Sequence, residues 1–183
     1  MATPPTFSVG QILTTAQMNQ IGLWKITSVT MTNASTTISN CFTSDFTNYR
    51  VNINFTGTAA NQFVAIQFSS GGTPDATSNY KYAFQTTTSG GVASSLASSS
   101  NTGVILGYTG TASPNGSSAI EIFQPQVSGR TYGSQQRYEY DSATFNSRQG
   151  MFVLDKVASY DGLTVLTGGS NITAEITIFG YRK

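Results

Sequence analysis

The chain has 183 residues, the size of one domain with a full core or one domain plus a short appendage. Only 9% of it is charged, with nine Lys and Arg against eight Asp and Glu for a net charge of +1, so it carries no electrostatic bias toward nucleic acid or an anionic membrane. It has no histidine and a single cysteine, Cys41, which excludes Ser-His-Asp and Cys-His sites, His-containing metal sites, a thiolate zinc site and an intramolecular disulfide.

The first residues, Met1-Ala2-Thr3-Pro4-Pro5-Thr6, have neither a basic nor an apolar run, so no secretory signal is expected there. No stretch approaches the length of a membrane span. After Pro4-Pro5 comes a helix signal. Thr14 is a candidate N-cap, Gln17 completes a capping box, Leu13 and Met18 have the spacing of a hydrophobic staple, and Gly22 follows as a C′ residue. Ile12, Leu13, Met18, Ile21, Leu23 and Trp24 crowd this segment with apolar side chains that need cover. The chain therefore divides into an N-terminal arm with a short helix, residues 1–24, and a β domain, residues 25–183. The arm is expected to be an attachment or oligomer interface, with the alternative that its helix plugs one open end of the β domain.

From Lys25 onward the period is two. Tyr49, Val51, Ile53 and Phe55 face one way and Arg50, Asn52 and Asn54 the other. Val64, Ile66 and Phe68 follow, then a turn at Gly71-Gly72-Thr73-Pro74-Asp75, then Tyr80, Tyr82 and Phe84. Ser89 to Gly103 is Ser/Ala/Gly-rich and reads as a flexible surface loop. Short apolar strands are expected at Gly103 to Tyr108 and Ala119 to Phe123, separated by a loop from Gly110 to Ser118, and a polar, aromatic strand at Arg137-Tyr138-Glu139-Tyr140. At the end of the chain Leu163 and Val165 form one arm of a hairpin that turns at Gly168-Gly169-Ser170-Asn171. Its long second arm carries Ile172, Ala174, Ile176 and Ile178 on one face, and Met151-Phe152-Val153-Leu154 is expected beside it. Many short strands with Gly/Pro/Asn turns indicate an all-β, antiparallel, jelly-roll-like β-sandwich, with Val51, Ile53, Phe55, Ile66, Ile176 and Ile178 buried between its sheets.

Residues suited to chemistry are sparse. No lysine follows a glycine, so there is no phosphate-binding Gly-Lys-Ser/Thr loop, and no calcium-loop spacing of acids appears. Glu139 and Asp141, two apart on one strand face, are a pair that a glycosidase can use, although a solvated strand end is the plainer reading. Tyr80, Tyr82, Tyr132, Tyr138 and Tyr140 are candidates for contact with a glycan or a partner protein, weighed against ordinary packing within the sheets. A loop such as Thr73 to Asn79 would serve the same glycan reading. No catalytic residue, metal or cofactor is expected. The sequons at Asn54 and Asn171 fall in or beside strands.

Two segments resemble structural proteins of tailed-bacteriophage virions. One is Phe7-Ser8-Val9-Gly10-Gln11-Ile12-Leu13-Thr14-Thr15-Ala16-Gln17-Met18-Asn19, which is similar to an opening found in fibre and in tail or head appendage proteins. The other is Tyr160-Asp161-Gly162-Leu163-Thr164 with the terminal Ile176-Thr177-Ile178-Phe179-Gly180-Tyr181-Arg182-Lys183, similar to the closing strands of β-sandwich modules in such proteins. Between them, Asp45-Phe46-Thr47-Asn48-Tyr49 and Glu121-Ile122-Phe123-Gln124-Pro125 match in style. The resemblance implies a non-enzymatic virion subunit, either a tail fibre or a capsid decoration. It would be assembled in the host cytoplasm, anchored by its N-terminal segment, and homotrimeric by analogy. Its partners would be its own copies and other virion proteins, with no nucleic acid and no membrane insertion. The alternative is a carbohydrate-binding module that recognises a host receptor.

Overall fold

The computed structural model describes residues 8–12, 22–57, 62–91, 93–108, 115–141 and 144–182, apart from the side chains of Asn115, Tyr140, Asp141 and Arg182. The expected helix, with Leu13, Thr14, Gln17, Met18 and Ile21, lies outside these residues. The described chain forms β1 (Leu23–Met31), β2 (Ser35–Ile38), β3 (Phe46–Gly57), β4 (Phe63–Ser70), β5 (Thr73–Pro74), β6 (Tyr80–Thr88), β7 (Ala93–Asn101), β8 (Val104–Tyr108), β9 (Asn115–Phe123), β10 (Gly129–Asp141), β11 (Thr144–Ala158), β12 (Gly162–Thr167) and β13 (Ile172–Arg182). These make two antiparallel sheets. The larger has eight strands in the order β1-β13-β3-β9-β10-β11-β6-β7, and the smaller is β2-β12-β4-β5, with β8 also on β4.

The period-two pattern sets which residues face the core. Tyr49, Val51, Ile53 and Phe55 of β3 and Ile172, Ala174, Ile176 and Ile178 of β13 are all buried, as are Ile120 and Ile122 of β9. Val64, Ile66 and Phe68 of β4 and Leu163 and Val165 of β12 are buried from the other sheet. Phe68 reaches across to two adjacent strands of the opposing layer, lying parallel to Tyr80 of β6 at 6.2 Å and meeting Phe152 of β11 at 6.4 Å. All six residues expected between the sheets lie there. Two close approaches depend on glycine. Gly71 and Gly72 both have positive φ and link Ser70 to Thr73 as a two-residue hairpin loop. Gly180, opposite Tyr49, leaves room for the buried Phe46 ring, since a Cβ there would stand 2.3 Å from Phe46 Cγ.

The pairing corrects several sequence expectations. β12 and β13 are not a hairpin: β12 sits between β2 and β4, β13 between β1 and β3, and residues 168–171 cross from one sheet to the other. Alternation and a Gly-rich link look the same whether the chain folds back within a sheet or arches between two. The Met151 to Leu154 stretch does not neighbour β13 either, because β11 lies between β10 and β6. The supposed loop from Ser89 to Gly103 contains β7, a nine-residue edge strand. Its Ser/Ala composition hides it from propensity, and it is held by ladder hydrogen bonds to β6 with Leu96 packed on the core. Likewise β9 begins at Asn115, inside the expected loop, because its polar Ser117 and Ser118 pair with β3 on one side and β10 on the other.

Candidate functional site

β10 divides the candidate residues by parity. Its odd positions Thr131, Gly133, Gln135, Arg137 and Glu139 face inward and are buried, while Tyr132 and Tyr138 face outward at 53% and 42% exposure. On the outer face, Tyr132 stands opposite Phe123 of β9 and Val153 of β11. These residues, with Met151 at 70% exposure, line an open groove of about 510 Å³ with Lys81, Ala83, Ser98 and Ser99. A Cβ at Gly133 would strike the Phe152 ring and the Glu121 carbonyl, so the strands close tightly beneath the groove. A second depression of about 470 Å³ shares Ala83 and Met151 and extends toward β7 through Ser95 and Ala97. Farther along β10, Tyr138 stacks on Phe145 with ring centres 6.0 Å apart and accepts a 2.5 Å hydrogen bond from Gln136 Nε2.

The other tyrosines are placed differently. Tyr80 and Tyr82 are not surface residues, because they occupy the inward positions of β6. The Tyr80 hydroxyl accepts a hydrogen bond from the Phe68 amide at 2.9 Å and donates to the Asp75 carbonyl at 3.0 Å. Burial pushes that phenol well above its ordinary range. Tyr82 stacks on Phe84 at 4.9 Å. The Tyr140 side chain lies outside the described residues.

Within the loop from Thr73 to Asn79, most of which is exposed, the Asp75 side chain is turned inward. Asp75 accepts hydrogen bonds from Lys156 Nζ at 2.7 Å, the Tyr160 hydroxyl at 2.7 Å and the Thr77 amide at 3.1 Å. Burial raises the Asp75 carboxyl, but these bonds outweigh it and hold the group well below the usual carboxylate range. Near the groove, Asp155 is paired with Lys81 and Arg130, which lower its carboxyl to about 2, the Lys81 bond most.

Glu139 is not a solvated strand end. Its side chain is 6% exposed; one oxygen accepts from Arg137 Nη2 at 2.6 Å and the other from the Tyr108 amide at 2.9 Å. Both oxygens are thus engaged, and the side chain of Asp141 lies outside the described residues. Among the described residues no group of three or more Cys, Asp and Glu side chains converges as metal ligands do.

In the arm, Val9 and Ile12 are fully exposed or nearly so, and Leu23 is partly exposed. Trp24, also expected at the interface, is placed in the sheet. It belongs to β1 and is half-buried against the core, because strand alternation turns it inward opposite Gly180. Sequence reasoning missed Phe123, Met151 and Phe145, whose closeness to Tyr132 and Tyr138 follows only from the cross-strand register.

No family model matches the chain, and no curated protein does. Among solved structures the chain is similar to a bifunctional GH43-CE protein of Bacteroides eggerthii, with 8% identity and a TM-score of 0.37 over 78% of this chain and 20% of that one. The chain thus spans a fifth of that protein's length, and a likeness at this level carries neither fold nor function.

Proposed function

We propose that the chain is a non-enzymatic structural subunit of a tailed-phage virion, a fibre or capsid-decoration protein. In this reading the N-terminal arm attaches the subunit, the two sheets form a jelly-roll-like sandwich displayed outward, and copies associate as a homotrimer. The resemblance of Phe7 to Asn19 and of the closing strands supports it. The observation that carries it is the exposure of Val9 and Ile12, which no described part of the β body covers. Apolar side chains left outside the core are what a subunit buries against its neighbours, at roughly 1.5–3 kcal/mol for each large one. A chain truncated to begin at Gly22 tests this, since it keeps all of β1. It should fold with near-native thermal stability yet fail to oligomerise or to join particles. Retention of both properties rejects the anchor, and loss of folding favours the plug.

One observation favours a second reading, in which the outer face of the larger sheet binds a host glycan. Tyr132 and Tyr138 stand on one face of one strand with Ser134 and Gln136 between them, each beside another exposed aromatic residue, and Lys81 lines the groove at Tyr132. A glycan array separates the readings: a purely structural subunit binds nothing, and a receptor module loses binding on Tyr132→Ala.

A further inference from the structure

The inward face of β10 carries a polar row into the interior, and one part of that row lacks partners among the described residues. Arg137 is 1% exposed, yet among the described residues its Nε and Nη1 have no hydrogen-bond partner. Directly across the β10–β11 ladder stands Arg148. It faces the same interior, since its Nε donates to the buried Thr86 hydroxyl at 2.9 Å, and its own Nη1 is likewise buried and unpartnered. Opposed residues of an antiparallel pair have Cβ atoms about 4.5–5.5 Å apart, so the two side chains leave the sheet side by side and the charge of Arg148 acts on Arg137.

Glu139 does not balance them. Its oxygens are taken by Arg137 Nη2 and the Tyr108 amide, and Arg148 takes part in none of the ion pairs among the described residues. The Tyr108 ring lies 5.7 Å from the Arg137 guanidinium and supplies only a weak cation–π contact. Among the described side chains two cations stand against one carboxylate, an excess of positive charge, and buried charges are paired or bind a counter-charge. We propose that Arg137 and Arg148 bracket an internal site for a small monovalent anion of the halide type, reached from the half-exposed Arg148 side. Burial pushes the Arg137 guanidinium down to about 10, with Glu139 opposing the fall and Arg148 adding to it, so the group remains cationic at neutral pH.

The test compares thermal unfolding of the full chain in sodium chloride and in sodium gluconate at matched ionic strength, so that screening is equal and only binding differs. Chloride should raise the melting temperature by about 3–6 °C once it exceeds its dissociation constant roughly tenfold. Arg148→Gln should abolish the difference between the salts. Equal melting temperatures in the two salts overturn the proposal and leave the donors to water. A chloride effect undiminished in Arg148→Gln also overturns it, since the ion then binds elsewhere. Should that variant not fold, crystals of the unaltered protein soaked in bromide decide: an anomalous peak between Arg137 and Arg148 supports the site, and its absence refutes it.

Discussion

Replacing Glu139 by glutamine keeps the shape of the side chain and removes only its charge and one acceptor. In the native protein the carboxylate is held by a 2.6 Å bond from Arg137 and a 2.9 Å bond from the Tyr108 amide, and both charged side chains are almost wholly buried. The glutamine amide would have to turn its NH₂ toward one of these two donors. Arg137 would lose its only ion pair among the described residues. Breaking a buried pair in this way costs about 3–5 kcal/mol, far above the value of an exposed pair. Arg137→Met should cost a similar amount, because it strands Glu139. The double variant with both changes should be less destabilised than the sum of the two by about 2 kcal/mol or more, since it removes both charges together. Urea denaturation of the four proteins at neutral pH measures these differences. A Glu139→Gln cost under about 1 kcal/mol, additive with Arg137→Met, would refute the claim that the pair is a buried, mutually dependent unit.

Three further outcomes follow from the packing. Gly180→Ala places a methyl group 2.3 Å from the Phe46 ring and should lower stability by about 1–3 kcal/mol, read as a fall in melting temperature. Asp75, whose carboxyl is held low, contributes stability that is fully present above the unfolded carboxylate pKa of about 3.9 and is lost as pH falls below it. Melting temperature scanned from neutral to strongly acidic pH should therefore fall less steeply in Asp75→Asn than in the native protein. Burial pushes the Cys41 thiol up to about 12, so in the native protein a disulfide reagent should modify it at least about a thousandfold more slowly than in urea.

Much of the core was legible in the sequence because strand alternation has a fixed period. Ile176 and Ile178, or Val51 and Ile53, announce an inward face whichever strand lies beside them. What alternation does not carry is partnership. Leu163 and Ile172 belong to different sheets, although nothing in the residues between them distinguishes an arch from a hairpin. Parity was likewise readable on β10 but not its sign. Tyr132 and Tyr138 face outward because the buried side is taken by Gln135, Arg137 and Glu139, the reverse of what hydrophobicity predicts. On β6 the same residue type, at Tyr80 and Tyr82, faces inward with its hydroxyl or ring satisfied by Phe68 and Phe84. β7 was hidden because its stability comes from backbone pairing rather than from the side chains a sequence displays.

The central claim, that this is a virion structural subunit, is tested most directly by locating the protein in purified particles through mass spectrometry and high-resolution imaging. The account predicts a stoichiometric, symmetric component whose density fits the two-sheet body, with Val9 and Ile12 of the arm against a neighbouring subunit. Its absence from intact particles, or density with the arm pointing into solvent and the sheets forming the contact, would contradict it.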